Sequence, residues 1–464
     1  MAEGGHYDIV VLGGGSGGYA CALRAAELGK RVALIEKDKV GGTCLHRGCI
    51  PTKALLHAAE VADSSRESEK FGIRTTFEGV DMPAVLSYQQ SVVDRLWKGL
   101  QSTIASRKID TILGEGRLIS QTSVQVGDAV YTGDHIVLAS GSVPKSLPGL
   151  EIDSRRVITS DDALQLDKAP ASAIILGGGV IGVEFASVWR SFGAEVTIVE
   201  MLPQLVPLED EGSAKQLQRA FRRRGIGFEL GAAYQSHAYT DDGISVALAN
   251  GKTLTAEVLL VAVGRGPVSA GFGYEEAGVA MDRGFVLADS YCRTNVPTIS
   301  AVGDLTPGLQ LAHVGFGEGI LVAERVAGLD VTPIDHDGVP RIAYCNPEVA
   351  SVGITSATAA ERGIEATEYT YNLGGNGKSV ILQTQGAAKV IATAGSAPDK
   401  LGPVLGVHLV GARVGELITE GQLIYNWEAL PAEVAQLIHP HPTQSEAIGE
   451  AHLALAGKPL HAHA

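Results

Sequence analysis

Asp8-Ile9-Val10-Val11-Leu12-Gly13-Gly14-Gly15-Ser16-Gly17-Gly18 decides the fold. Ile9–Leu12 is a short apolar run of the kind a buried parallel strand carries. Gly13, Gly15 and Gly18 then spell Gly-x-Gly-x-x-Gly ahead of a helical segment. In such a turn the first glycine permits a tight bend and the second lets the backbone approach a pyrophosphate. The third lets helix and strand pack closely, while the helix N-terminus faces the phosphates. A further strand pattern, Arg31-Val32-Ala33-Leu34-Ile35-Glu36, ends in an acid able to accept hydrogen bonds from a ribose diol. The unit is written twice. Ala173-Ile174-Ile175-Leu176-Gly177-Gly178-Gly179-Val180-Ile181-Gly182 repeats the fingerprint at Gly177, Gly179 and Gly182, and Glu195-Val196-Thr197-Ile198-Val199-Glu200 repeats the acid-terminated strand. Glycine-rich turns in an ordinary α/β domain leave both acids unexplained, whereas two βαβ units that bind dinucleotides account for them. Glu200 would bond a free 2′-hydroxyl and repel a 2′-phosphate, which favours NAD over NADP. The basic run Arg222-Arg223-Arg224 further on reads as a solvated helix end.

The surrounding composition agrees. Of 464 residues, 45% are hydrophobic and 19% charged, the reverse of a disordered chain. At about 150 residues per domain this length suggests roughly three domains. Glycine numbers 58, well above the usual share of about 7%, and clusters beside apolar runs, which points to close backbone approaches. A net charge of −15 speaks against a nucleic-acid partner. No apolar run reaches the roughly 20 residues that span a bilayer, and Met1–Asp8 lacks a signal-peptide pattern, so the expectation is no membrane and a cytoplasmic setting. A proline break at Ser142–Gly149, a boundary near Val263–Pro267 and a change to mixed strands and helices from about residue 341 divide the chain into 1–149, 150–270, 271–340 and 341–464. The last of these carries no nucleotide fingerprint and reads as a separate α+β domain.

The chemistry gathers at Gly41-Gly42-Thr43-Cys44-Leu45-His46-Arg47-Gly48-Cys49-Ile50-Pro51-Thr52-Lys53. Four residues separate the cysteines, enough to close a disulfide loop, and Pro51 with the run that follows predicts a helix starting near Cys49. A helix N-terminus and Lys53 both favour a thiolate. Cys21, Cys292 and Cys345 stand alone and read as small buried hydrophobes. Zinc normally asks for four ligands and no second cysteine pair is present, so no metal is expected. A redox-active pair is the favoured reading, with two unpaired core cysteines as its alternative.

In this order the motifs resemble those of the flavin-dependent pyridine nucleotide-disulfide oxidoreductases, over essentially the whole chain. The resemblance rests on Gly-Gly-Thr-Cys-x4-Cys-Ile-Pro-Thr-Lys at 41–53, Ala139-Ser140-Gly141-Ser142, Val263-Gly264-Arg265-Gly266-Pro267, Ser300-Ala301-Val302-Gly303-Asp304, Leu311-Ala312-His313, and His439-Pro440-His441-Pro442-Thr443-Gln444-Ser445-Glu446. It implies FAD in 1–149, completed by 271–340, with Gly13, Gly15, Gly18, Glu36 and Lys37 at the ADP half and Asp304 at the ribityl chain. Thr43, Lys53, Gly116, Ser140, Gly141, Ala312 and His313 match further flavin positions. NAD is implied in 150–270, at Gly177, Gly179, Gly182 and Glu200, with Gly264 and Arg265 as further cofactor positions. Cys49 matches the thiolate packed on the flavin and Cys44 the interchange thiol. Lys53 and Glu184 match an ion pair near the flavin ring; without the family, Glu184 reads as an exposed acid in a helix's first turn. His46 and Arg47 depart from the family's usual residues between the cysteines.

Disulfide chemistry needs one cysteine to attack and another to resolve the mixed disulfide and pass electrons on. It also needs a base. Histidine titrates near working pH, and a carboxylate on its other nitrogen fixes the tautomer; His441 and Glu446 supply these two groups. His439, His461 and His463 are given no role. In the family the terminal domain, here 341–464, forms a two-fold dimer, implying a homodimer in which the base reaches the partner's cysteines. The nearest branch handles dihydrolipoyl groups. It implies electron flow to NAD⁺ from the lipoyl domain of an acyltransferase component of a 2-oxo acid dehydrogenase complex. Another disulfide or quinone reductase of the family, or a flavoprotein subunit with little turnover, are the alternatives.

Overall fold

The computed structural model describes residues 2–462, so His463 lies outside the described residues. Strand Ala2–Leu12 sits at the centre of a seven-stranded sheet. Ile9, Val10 and Val11 have no exposure at all, as an apolar run covered on both faces requires. The strand pairs in parallel with Val32–Glu36 on one side, Ile9 opposite Val32, and with Ala129–Leu138 on the other. Asp110–Leu113 continues the parallel order beyond Val32–Glu36. Much later in the chain, Ile299–Ala301 returns to pair with Ala129–Leu138, bringing Gly303 and Asp304 to the same sheet end as the first glycine turn.

The second βαβ unit builds an all-parallel five-stranded sheet around Ser172–Leu176, flanked by Glu195–Glu200 and Val258–Val261. The two fingerprints fold alike. Gly13 and Gly177 adopt φ of +110° and +106°, values that only glycine holds without strain. A Cβ on Gly18 would run into the carbonyl oxygen of Gly13, and one on Gly182 into that of Gly177. Helices Ser16–Glu27 and Val180–Ser191 therefore start tight against their strands. Neither has a side-chain cap at its N-cap glycine, Gly15 or Gly179, so no side chain occupies the first-turn amides.

The third large sheet is antiparallel, five strands from Arg341 to Gly411, with helices Val414–Asn426 and Glu446–Leu455 packed on it. The expected α/β architecture is thus present: two Rossmann-like units and a terminal α+β domain. Among the described residues no helix is long and apolar enough to cross a membrane.

Candidate active site

Helix Cys49–Glu67 begins at the second cysteine, as Pro51 predicts, and the short helix Gly42–Arg47 carries Thr43 and Cys44 in its first turn. Both cysteines are half-buried with free sulfurs. They share a hydrogen bond that pulls the Cys49 thiol down to about 7 against the opposing effect of burial, and Lys53, one turn on, adds to the pull. The same hydrogen bond, with burial, pushes Cys44 upward. One sulfur is poised as thiolate and the other as thiol, the asymmetry that exchange chemistry uses. By contrast Cys21, Cys292 and Cys345 are buried.

Glu184 is 2% exposed, not the exposed first-turn acid of a family-blind reading. Lys53 Nζ lies 3.0 Å from both of its oxygens. The amide of Tyr344 donates to Glu184 Oε1 at 2.9 Å, and the Tyr344 ring lies under the ammonium, 4.8 Å to its centroid. Burial pulls the Lys53 ammonium down, but Glu184, the Cys49 sulfur and Tyr344 together outweigh it and the net shift is upward.

Both nucleotide crevices keep the expected acid at the glycine turn. Glu36 accepts from Gly14 N at 2.7 Å, and Glu200, 8% exposed, accepts from Gly178 N at 2.7 Å and Leu202 N at 2.8 Å. At Gly141, Gly179, Gly264 and Gly303 a Cβ would meet no atom within 4 Å. Backbone left bare at the carboxyl ends of parallel strands is where dinucleotides sit. These residues fit FAD and NAD. Asp304 accepts from Ser142 Oγ at 2.5 Å, and Arg265 donates to Ser142 Oγ at 2.8 Å and Ser142 O at 2.7 Å. Arg265 thus joins Asp304 through Ser142, while Ala262 and Val263 just before it lie against Gly177 of the second fingerprint.

Other expected positions are less directly engaged. Gly116 is packed against Leu12, and Ser140 is bonded to Val268 O at 2.5 Å and to Tyr274 at 3.0 Å. Lys37 lies over the Phe272 ring at 6.0 Å. Ala312 and His313 open helix Ala312–Val326, His313 Nε2 donating to Pro340 O at 2.8 Å. Between the cysteines, His46 donates to Val40 O at 2.9 Å and presents its ring to Trp97, while Arg47 pairs with Asp38 at 3.2 Å.

His441 and Glu446 meet as expected, Nδ1 to Oε1 at 2.9 Å, with the imidazole 77% exposed. Burial would raise Glu446, but the Thr443 amide and His441 together hold it below the ordinary carboxylate range. His439 faces inward instead, bonded to Glu420 at 2.6 Å.

Sequence reasoning missed Ser142, Tyr344, Glu318 and Tyr19. Glu318, 7% exposed, accepts from Gly303 N at 2.6 Å just before Asp304, and burial raises its carboxyl to about 7. Burial pushes the Tyr19 phenol to about 12, and the nearby charges of Cys44 and Cys49 add to the shift. A one-turn spacing marks none of these four; only the returning strand and the closed helix pair bring them in.

A dithiol that can open and close between two dinucleotide crevices defines an oxidoreductase that moves electrons between sulfur and a nicotinamide. Residues 7–319 match the family described as pyridine nucleotide-disulphide oxidoreductase and 339–452 match its dimerisation domain; the chain belongs to that family, whose dihydrolipoyl dehydrogenase members use FAD and NAD. It is 40% identical to the dihydrolipoyl dehydrogenase of Bacillus subtilis (strain 168), covering 98% of this chain and 99% of the relative. It is 38% identical to that of Rhizobium etli over the full length of both. A leghemoglobin reductase of Glycine max is 36% identical over 98% of this chain and 88% of its own. Among solved structures, LpdA from Mycobacterium tuberculosis superposes with a TM-score of 0.89 at 26% identity, covering 96% and 99% of the two chains. The flavoprotein disulfide reductase RclA of Escherichia coli superposes with a TM-score of 0.84 at 28% identity, covering 96% and 99%.

Proposed function

We propose that the chain is a dihydrolipoyl dehydrogenase. It oxidises dihydrolipoyl groups carried on the lipoyl domain of an acyltransferase component of a 2-oxo acid dehydrogenase complex, and it reduces NAD⁺. The observation that carries this reading is the Cys44/Cys49 pair beside Lys53 and Glu184 in a chain that matches dihydrolipoyl dehydrogenases over its full length. The dimerisation domain supports a homodimer. In this reading 1–149 with 271–340 holds FAD, 150–270 holds NAD, 341–464 forms the interface, and the setting is cytoplasmic.

His441, oriented by Glu446, takes the proton of one substrate thiol. The thiolate attacks Cys44 Sγ of the oxidised pair; a substrate–Cys44 bond forms, the Cys44–Cys49 bond breaks, and Cys49 departs as a thiolate facing Lys53. The second substrate sulfur releases its proton to solvent and displaces Cys44, closing the lipoyl disulfide, while His441 returns its proton to the Cys44 sulfur. In this direction the substrate's own second sulfur breaks the mixed disulfide; Cys49 does so only when a disulfide is being reduced. Glu36, Asp304 and the first glycine turn would hold FAD, and Glu200 and the second would hold NAD⁺; bound, they supply a two-electron relay from the dithiol to a nicotinamide.

Purified protein with bound FAD is assayed with dihydrolipoamide and NAD⁺, then with glutathione disulfide and mercuric ion against NADH and NADPH. NADH formation from dihydrolipoamide, with no oxidation of NADH or NADPH by glutathione disulfide or mercuric ion, is expected. Full flavin content without NADH formation would overturn the assignment.

A further inference from the structure

Arg224 ends the basic run that the sequence presents as solvated, yet its side chain is 19% exposed and its guanidinium points inward. Nη1 donates to Ser187 Oγ at 2.7 Å and Asn346 O at 2.9 Å. Nη2 donates to Ser191 Oγ at 2.7 Å and Asp63 Oδ2 at 3.1 Å. The partners are linked among themselves: Ser191 Oγ donates to the same Asp63 oxygen at 2.6 Å, and Asn346 N to Ser187 Oγ at 3.0 Å.

These groups come from three parts of the chain. Asp63 belongs to the cysteine helix Cys49–Glu67, Ser187 and Ser191 to helix Val180–Ser191, and Asn346 to the segment after strand Arg341–Ala343. The same three parts meet at the redox centre, through Lys53, Glu184 and the Tyr344 amide. Glu184 and Ser187 are three residues apart and share a helix face. Tyr344 and Asn346 are alternate residues of one segment, and their amides bond those two side chains in turn. Along the cysteine helix, Lys53 and Asp63 lie about 15 Å apart at 1.5 Å per residue. Leu55 and Ala59 pack the helix into the core, and polar anchors at both Lys53 and Asp63 fix its rotation, which non-directional apolar contact does not. Joining four partners at once takes the planar five-donor fork of arginine, which lysine lacks.

We propose that Arg224 is a positioning residue: by joining Asp63, Ser187, Ser191 and Asn346 it fixes the register of the cysteine helix against the Glu184 helix and so keeps Lys53 facing Cys49. The inference rests on the cysteine pair being the reacting centre, and its test needs no lipoyl substrate, so the two readings fail separately.

Arg224→Met, Arg224→Lys and Asp63→Asn are prepared as full-length protein, flavin content and thermal midpoint are measured, and the pair is reduced. Alkylation of Cys44 and Cys49 by iodoacetamide is then followed against pH by peptide mass spectrometry. The groups that set the Cys49 profile are Cys44, Lys53 and Glu184, with Tyr19 close enough to feel its charge. With Lys53 freed, the Cys49 midpoint is expected to rise by about half a pH unit or more, about a threefold smaller thiolate fraction below it. Arg224→Lys should move it less than Arg224→Met. Should Arg224→Met not fold, the two milder variants carry the same expectation. Flavin-loaded variants whose midpoint falls on heating while the Cys49 profile superposes on the parent would show a merely structural arginine and overturn the proposal.

Discussion

Lys53 and Glu184 are 131 residues apart in the chain and meet head to head, the ammonium 3.0 Å from both carboxylate oxygens. With the Tyr344 amide on the same carboxylate, three parts of the fold converge on one buried charge next to the Cys49 sulfur. Removing one partner of such a pair leaves the other desolvated without compensation. Lys53→Met should therefore destabilise the protein by about 3 kcal/mol and raise the Cys49 thiol above its value of about 7. Chemical denaturation and pH-dependent alkylation check both parts. An unchanged alkylation profile would detach Lys53 from the thiolate.

The exposed imidazole of His441 should carry the proton transfers. His441→Ala is expected to slow lipoyl turnover by about 10²–10⁴-fold, the range for a positioned acid–base group, with flavin content unchanged. Glu446→Gln removes one charged hydrogen bond, about 1.5–3 kcal/mol, and should cost about 10–100-fold. Steady-state kinetics on both variants decide it, and a Glu446→Gln enzyme slower than His441→Ala would contradict the assigned order.

Glu318 gives a pH signature. Its folded carboxyl, raised by burial to about 7 from an ordinary 4.5, binds its proton more tightly than in the unfolded chain. Stability therefore falls as pH rises from about 4.5 to 7 and the deficit stays constant above that. Glu318→Gln keeps an acceptor for the Gly303 amide and removes the titration. It should match the parent below about pH 4.5 and exceed it by about 1–3 kcal/mol above pH 7. A stability difference that does not vary with pH across that window would refute the sign.

Glu200 accepts one amide of the second glycine turn, Gly178 N, and the Leu202 amide just beyond its own strand; in the proposed reading its carboxylate receives the ribose 2′-hydroxyl of NAD. Glu200→Ala loses that acceptor and the repulsion of a 2′-phosphate together. kcat/KM for NADH should fall about tenfold, corresponding to about 1.4 kcal/mol of lost binding, while that for NADPH rises. Unaltered preference between the two coenzymes would place selectivity elsewhere.

Legibility followed locality. The fingerprints, their acids, the cysteine spacing and the His441–Glu446 pair are set by contacts within one βαβ unit or one short segment, so residue type and spacing express them. Arg224 was misread because a helix-end arginine in a basic run looks solvated from its neighbours alone; its burial comes from Asp63 and Asn346, both far away in sequence. Ser142, Tyr344 and Glu318 escaped for the same reason. Tyr344 acts through a backbone amide, which no side-chain pattern encodes, and Ser142 matters only because the strand Arg265–Pro267 folds back on it. Glu184 was legible through the family alone, since an acid in a helix's first turn has an ordinary exposed explanation.

The terminal domain leaves apolar side chains uncovered beside the base segment: Ile438 is 97% exposed, Trp427 75% and Leu437 60%. Exposed apolar side chains of this size are what a protein contact surface offers, and in the proposed homodimer, which the matched dimerisation domain supports, a second copy would cover them. His441 lies three residues beyond Ile438, so if, as the family resemblance implies, the base serves the partner's dithiol, loss of the contact should displace it and not merely loosen the fold. Ile438→Asp combined with Trp427→Asp is expected to sediment as a monomer with its flavin retained. Lipoyl turnover should fall at least as steeply as the dimer fraction. A monomer with full turnover would mean that one chain carries a complete site, and a variant still dimeric would place the interface on another face.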